Sequence, residues 1–257
     1  MSKVTVRNLS LSEWDSLVEA CPQGTIFSTR QWMDMFDASY GLWGWFKGEE
    51  LIGGWAGFDT PQPLTPFQSI VVKGTPWMSY TSLMSRHIEV TKALLPILPK
   101  EFYNHYTFPD IRPFKWAGWS TDIKYTYVVE LRNPYFALWP LLDKDTRNAI
   151  KSSQALTVSS SSMEEFIPLY HATFERKNLK PTASDELLRK LDKEFSPIYV
   201  RVKDTMAVAI RDNKRAYYIL GASMAEGLTP YVLWELFKQV DRPEIDLCGA
   251  NDEKVAF

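Results

Sequence analysis

The feature that most limits the fold of this chain is an order of predicted elements that occurs twice. Each half predicts two amphipathic helices, then paired strands, then a third helix and a last strand. Independent local propensities rarely produce the same order twice, so the pattern indicates a duplication. The sequence therefore predicts an α/β (α+β) protein with a first domain at residues 1–132 and a second at 133–257.

In the first half, Ser10-Leu11-Ser12-Glu13 has the form of a capping box, and apolar residues follow at helical spacing. Ser28-Thr29-Arg30-Gln31 repeats this form and precedes a second predicted helix, with Trp32, Met35, Phe36 and Ser39-Tyr40 along one face. The remaining predicted elements are a hairpin over 42–58 turning at Gly48, a helix at 86–95 and a strand at 102–108, with the Pro-rich stretch 61–66 irregular.

In the second half, Ser162, Ser184 and Thr229-Pro230 are predicted helix starts. Between them the sequence predicts a three-strand meander over 198–222 that turns at Asp212-Asn213, and a strand at 244–248 ends the pattern. Residues 125–131 alternate as a strand between the halves, and 134–153 reads as a helical pair joining them.

Composition excludes several classes. The net charge is −2, from 29 basic and 31 acidic residues, so no DNA-binding surface is expected. No apolar run approaches the roughly 20 residues of a membrane helix, and no signal-peptide core is present. With only two cysteines, Cys21 and Cys248, a soluble chain in a reducing cytoplasm is expected.

The common motifs of phosphate loops, dinucleotide folds, zinc proteases and serine hydrolases are missing from the sequence. The histidines His87, His105 and His171 lack ligand spacing, so no metal site is predicted.

Arg147 and Lys151 are four residues apart in a predicted helix, so they share one face and could grip a phosphate or carboxylate together. A solvated helix surface explains the same spacing equally well.

Arg30 lies near a predicted helix N-terminus, which favours anions, and Trp32 could stack on a base or sugar. The alternative for Trp32 is core packing in the apolar stripe with Met35 and Phe36, which the pattern favours.

A predicted strand carries Tyr218 and ends in the small residues Gly221, Ala222 and Ser223, just before a predicted helix. A strand end that faces a helix N-terminus could bind an acyl donor through backbone groups, and small residues allow a close approach. Ordinary sheet packing of the tyrosines is the alternative.

Together these segments, with Pro230-Tyr231-Val232-Leu233-Trp234 and Ile245-Asp246-Leu247-Cys248-Gly249, resemble the FemAB-like acyltransferases of the GNAT (acyl-CoA N-acyltransferase) superfamily over nearly the whole chain. That family includes aminoacyltransferases that build peptidoglycan bridges and the related BioF2-like GNAT domains. The resemblance implies two tandem GNAT-like domains, each a mixed, mostly antiparallel twisted sheet flanked by helices. It also implies transfer of an aminoacyl or acetyl group to an amine.

The resemblance places Arg30, Trp32 and Arg147 at positions that hold the pyrophosphate of a nucleotide-linked cell-wall precursor, with Lys151 one turn beyond. It implies an acyl-CoA or aminoacyl-tRNA co-substrate, no bound cofactor, and a small-molecule or sugar-nucleotide acceptor, with tRNA a further candidate partner. No catalytic base is assigned.

The chain departs from the family pattern at two places. It has no [QR]xxGx[GA] loop for CoA, and no Phe-Lys motif follows Gly249, so the second domain is expected to lack its last strands. Truncation or loss of activity would explain this departure, and a catalytically inactive binding protein is therefore the alternative function. A carbohydrate-binding surface built from the ten tryptophans is a third reading.

Overall fold

The computed structural model describes residues 4–21, 24–58, 67–73, 80–99, 101, 103–104, 110–122, 125–131, 135–224 and 226–249. The chain forms two compact units, Met1–Ile123 and Lys124–Phe257. The division lies nine residues before the predicted boundary at 132/133, because the strand Val128–Glu130 pairs within the second sheet. His105 lies outside the described residues.

The first unit contains a five-stranded sheet in the order β1-β2-β3-β4-β5, in which only β4 and β5 run parallel. Its elements are β1 (Val4–Asn8), α1 (Leu11–Ala20), α2 (Arg30–Met33), β2 (Tyr40–Lys47), β3 (Glu50–Phe58), β4 (Phe67–Val72), α3 (Tyr80–Leu94), β5 (Tyr103–Asn104) and α4 (Arg112–Trp116).

Local signals explain the early part of this unit. The predicted capping box begins α1, because the Ser10 hydroxyl accepts the Glu13 N–H and the Glu13 carboxylate accepts the Ser10 N–H. The β2–β3 hairpin turns at Gly48, whose φ of +68° suits glycine. The buried faces of β3, β4 and α3 form the core around Trp55, Ile70 and Val90.

The second unit contains a five-stranded sheet in the order β6-β10-β9-β8-β7, in which only β9 and β10 run parallel. Its elements are β6 (Val128–Glu130), α5 (Lys144–Ser153), α6 (Met163–Arg176), α7 (Asp185–Phe195), β7 (Ile198–Val202), β8 (Thr205–Arg211), β9 (Ala216–Ser223), α8 (Thr229–Gln239) and β10 (Glu244–Asp246).

Of the three helix N-termini predicted for the second unit, two are confirmed and one is displaced by a residue. Ser162 and Ser184 cap α6 and α7 through hydrogen bonds from the residue three positions on, as predicted. The N-cap of α8 is Leu228 rather than Thr229, and its side chain makes no capping hydrogen bond. Thr229 and Pro230 are already inside the helix, where the fixed φ of proline suits the first turn.

The predicted fold class is confirmed: both units are α/β, each with a mixed, mostly antiparallel sheet flanked by helices. The repeated order also holds, with differences in the first unit. The predicted second helix is a single turn, Arg30–Met33, and does not continue to Tyr40, where β2 begins. Strands β1 and β4 and helix α4 were not predicted. Part of the predicted strand at 102–108 lies outside the described residues. None of the described helices is long and apolar enough to cross a membrane.

Candidate functional site

The second sheet splits between its two parallel strands. β10 pairs with β9 only at Ala216 and Tyr217, whereas β9 continues beside β8 as far as Ser223. Beyond β10 the chain turns to the other neighbour, since the Leu247 N–H donates to the Tyr127 carbonyl oxygen at 2.9 Å. Among the residues that the structure describes, none pairs with the β10 side of β9 from Tyr218 onward, so this side faces a wedge.

A β-bulge shapes the β9 wall of this wedge. Val208 pairs with Leu220 and Ala209 pairs with Tyr218, so Ile219 is an extra residue on β9. The bulge breaks the alternation of side chains and brings Tyr218 and Gly221 to one side of the strand. A Cβ atom on Gly221 would lie 2.0 Å from the Tyr218 hydroxyl oxygen, so the phenol occupies the space that a side chain would need.

The wedge opens into a cavity of about 620 Å³ within the second unit. Tyr218 and Gly221 of β9 line one wall, Leu247 lines another, and Thr229 and Val232 of the first turn of α8 form an end. The volume of the cavity is within the range of sites that bind drug-sized ligands.

A hydrogen-bonded node fixes the end of β9 at the cavity. The Thr173 hydroxyl oxygen of α6 accepts the Ser223 N–H at 2.9 Å and donates to the Leu169 carbonyl at 2.8 Å. The hydroxyls of Ser223 and Thr205 lie 2.7 Å apart. These bonds tie α6, β8 and β9 together at the end of β9.

Three charged side chains line the cavity as well. Arg176 and Lys177 follow one another at the C-terminal end of α6, and the Arg176 Nη2 donates to the Ser223 carbonyl at 3.3 Å. Glu226, in the loop before α8, adds one negative charge. The N-terminus of α8 contributes the positive end of its dipole, so the cavity favours an anionic group on balance.

Burial raises the pKa of Tyr218 to about 12, so its phenol is protonated at neutral pH. Cys248 lies between two residues that line the cavity but does not line it itself. Burial and the nearby Asp246 raise the pKa of its thiol well above the usual value, so this thiol is a poor nucleophile.

The structure brings together the predicted Tyr218, Gly221, Ala222 and Ser223, all of which line the cavity. This grouping agrees with the predicted strand end before a helix. Their predicted roles in binding substrate and donor remain predictions.

Arg147 and Lys151 share one face of α5, as predicted, but neither lines this cavity. The Nη1 atom of Arg147 donates a hydrogen bond to the Leu142 carbonyl oxygen at 2.6 Å. The Lys151 ammonium lies 5.9 Å from the centre of the Trp139 ring. Lys151 is exposed and Arg147 is half-buried, so both remain accessible to a ligand at this face.

Arg30 and Trp32 belong to the first unit. The Arg30 Nε donates to both carboxylate oxygens of Asp15, at 2.8 and 2.9 Å, so an anion at Arg30 would compete with this ion pair. The Trp32 ring is fully buried and packs edge-on against Phe27, with centroids 4.8 Å apart. This is the core packing that the pattern favoured, and a direct stacking contact with substrate remains an unsupported prediction.

Sequence reasoning missed Thr173, Arg176 and Lys177, which reach the cavity from α6. An Arg-Lys pair at the end of an amphipathic helix was visible in the sequence, but it is common on solvated surfaces. Only the packing of α6 against β9 shows that this pair faces a cavity.

Solved structures share this fold, although no family model and no curated protein matches the sequence. FemX aligns with a TM-score of 0.62 and 12% identity, over 97% of this chain and 89% of FemX. The C-terminal domain of a putative lysylphosphatidylglycerol synthetase from Agrobacterium fabrum aligns at 0.52 and 12%, covering 96% and 80% of the two chains. A conserved protein of unknown function from Bacteroides thetaiotaomicron aligns at 0.51 and 10%, covering 99% and 93%.

At such low identity these likenesses show the fold alone. The FemX alignment covers nearly the whole of both chains, so this chain has the fold of FemX, which agrees with the fold that the resemblance predicted.

Proposed function

We propose that this protein is an N-acyltransferase that binds an activated acyl donor in the wedge of its second unit and transfers the acyl group to an amine. The observation that carries the proposal is the split between β9 and β10, which opens a cavity of about 620 Å³ beside an edge of β9 that no described strand pairs with. A strand edge of this kind offers backbone donors and acceptors to an extended ligand.

The polar groups of the cavity suit a donor with amide and phosphate groups. The arm of acyl-CoA carries amides, which can hydrogen-bond to the edge of β9 as a neighbouring strand would. Its phosphates would lie near the α8 N-terminus, Arg176 and Lys177, where two cations and a helix dipole outweigh the single charge of Glu226. An aminoacyl-tRNA presents the same activated acyl carbon and a phosphate backbone, and is the other donor that we consider.

The chemistry requires little beyond positioning. The amine nitrogen forms a bond to the acyl carbon, and the carbonyl electron pair moves to oxygen. When the tetrahedral intermediate collapses, the bond to the leaving sulfur or oxygen breaks, and one proton passes in total from the amine to the leaving group. Alignment of the reactants and N–H donors near the oxyanion supply the rate enhancement.

For the acceptor we propose an amine on a cell-wall or sugar-nucleotide intermediate, as the family resemblance implies. Arg147 and Lys151 are the proposed contacts to its phosphates, because they form an accessible cationic face one turn apart on α5. Arg30 would join them only if the acceptor displaced Asp15 from its guanidinium.

The test is transfer of radiolabel from acetyl-CoA and, separately, from aminoacyl-tRNA to a panel of amines that includes a nucleotide-linked muropeptide. A Gly221→Phe variant fills the wedge and should abolish transfer. Gly118→Asn, at a φ of +81° in the first unit with open space around it, is the matched control and should keep full activity. No labelled product from either donor with the unaltered protein would refute the proposal.

The second candidate is a binding protein without turnover. Tight binding of acetyl-CoA measured by calorimetry, with no transfer to any amine in the panel, would support this candidate over the enzyme.

A further inference from the structure

We propose that the tip of α4, residues 115–118, docks on an anionic membrane surface with the Trp116 ring among the lipid headgroups. Three cations close to this ring, Lys92, Arg112 and Lys115, pair with the lipid phosphates. The proposed acyl transfer gives α4 no role, so this inference goes beyond that function and does not depend on it.

Trp116 differs from the other tryptophans of the first unit that the structure describes. Its side chain is 60% exposed, whereas Trp14, Trp32 and Trp55 are almost completely buried. Single exposed apolar side chains are common on protein surfaces, so the shape and the charge around this ring decide its role.

The tip projects from a rigid base. All four of its residues are exposed, and Gly118 ends the tip at a φ of +81°, where an added Cβ would meet no atom within 4 Å. Behind the tip, Phe114 is only 5% exposed and packs in the core. The Trp119 N–H donates to the Phe114 carbonyl oxygen at 3.0 Å and closes the turn. Trp116 is therefore presented on a projection that the core holds in place.

The charge around the ring is positive. The Lys92 Nζ of α3 lies 4.7 Å from the centre of the Trp116 ring, and the Arg112 guanidinium carbon lies 5.8 Å from it. Arg112 also donates to both carboxylate oxygens of Asp110, which is only 6% exposed. Asp110 therefore offsets one positive charge, and those of Lys92 and Lys115 remain at the surface.

An aromatic ring on a projection with cations behind it suits the interface of a lipid bilayer. Tryptophan prefers the headgroup level, where its ring meets apolar carbon and its N–H stays hydrated. Lysine and arginine have long apolar stems, so their charges stay with the phosphates while the ring lies deeper. No acidic residue occurs at 111–121, so this segment adds no repulsion from anionic lipids.

Single-stranded nucleic acid is the other polyanion that exposed aromatic rings and cations can bind. Its bases stack on rings that line a groove, and the groove follows the phosphate backbone. The Trp116 ring instead stands on a projecting tip, and this shape favours a membrane over a strand.

The experiment measures co-sedimentation of the full chain with vesicles of phosphatidylglycerol, which is anionic, and separately of phosphatidylcholine, which has no net charge. We expect binding to the anionic vesicles that weakens as salt is added, and much weaker binding to the neutral ones. Trp116→Ala should lower the partition constant roughly tenfold, because the ring supplies most of the apolar area of the tip. Lys92→Gln together with Lys115→Gln should lower it roughly 30-fold, about fivefold for each cation.

Matched controls lie in the second unit. Leu141→Ala removes an apolar side chain that is 79% exposed, and Lys180→Gln together with Lys193→Gln removes the same charge as the lysine pair near the tip. Both controls should keep the partition constant of the unaltered protein. Because every substituted side chain is exposed, all variants should fold, and thermal unfolding checks this.

Three results would overturn this inference. The first is no sedimentation of the unaltered protein with phosphatidylglycerol vesicles, and the second is equal sedimentation of Trp116→Ala. The third is binding of a single-stranded RNA oligonucleotide, lost in Trp116→Ala, without binding to either vesicle. Transfer from acetyl-CoA to a water-soluble amine should be the same in all these variants. Absence of transfer would refute the proposed function and leave the vesicle result standing.

Discussion

The node at Thr173 provides a direct test of how the wedge is held open. Thr173 is buried, and its hydroxyl oxygen accepts the Ser223 N–H at 2.9 Å while donating to the Leu169 carbonyl. Thr173→Val keeps the shape of the side chain and removes these hydrogen bonds, together with a longer one of 3.3 Å from the hydroxyl to the Ser223 carbonyl. The Ser223 N–H at the end of β9 then loses the Thr173 acceptor.

The expected cost follows from that geometry. Loss of a side-chain hydrogen bond of this kind destabilises a protein by about 0.5–1.5 kcal/mol. Urea unfolding should show a decrease of that size in the free energy of unfolding. Because Ser223 lines the cavity, the affinity for acetyl-CoA should fall together with stability.

The assay is urea unfolding followed by circular dichroism, with calorimetry for donor binding. Thr173→Ser is the matched control: it keeps the hydroxyl, loses one methyl group of about 1 kcal/mol, and should bind the donor as the unaltered protein does. If Thr173→Val unfolds at the same urea concentration as the unaltered protein, the node does not hold β9 and the reasoning fails.

Three further predictions concern a glycine of β3, a buried histidine of α3 and the two cations at the end of α6. Gly54→Ala should destabilise the first unit severely, because a Cβ would lie 2.4 Å from a β2 carbonyl oxygen, whereas Gly48→Asn at a left-handed turn should be nearly neutral in thermal unfolding. Burial lowers the pKa of His87 to about 4 from an unfolded value of about 6.5, so the folded state binds fewer protons. Its stabilising contribution is complete above pH 6.5 and is lost as pH falls toward 4, and His87→Gln should flatten this part of a stability–pH curve. Changing Arg176 and Lys177 together to Gln should weaken acetyl-CoA binding and reduce its dependence on salt, as measured by calorimetry at two ionic strengths.

The sequence by itself determined most of the elements and their repeated order. Helical spacing and side-chain caps act within a few residues, so α1, α6 and α7 begin where Ser10, Ser162 and Ser184 predict. The grouping of Tyr218 with residues 221–223 was also visible, because one strand end is a local feature.

Only the tertiary structure decided how these elements make a site. The bulge at Ile219 depends on the register with β8, and the split beyond Tyr217 depends on where β10 leaves β9. Arg176 faces the cavity because α6 packs on β9, and Arg30 is held by Asp15 from another helix. Such contacts join residues that are distant along the chain, and neither periodicity nor propensity carries information about them.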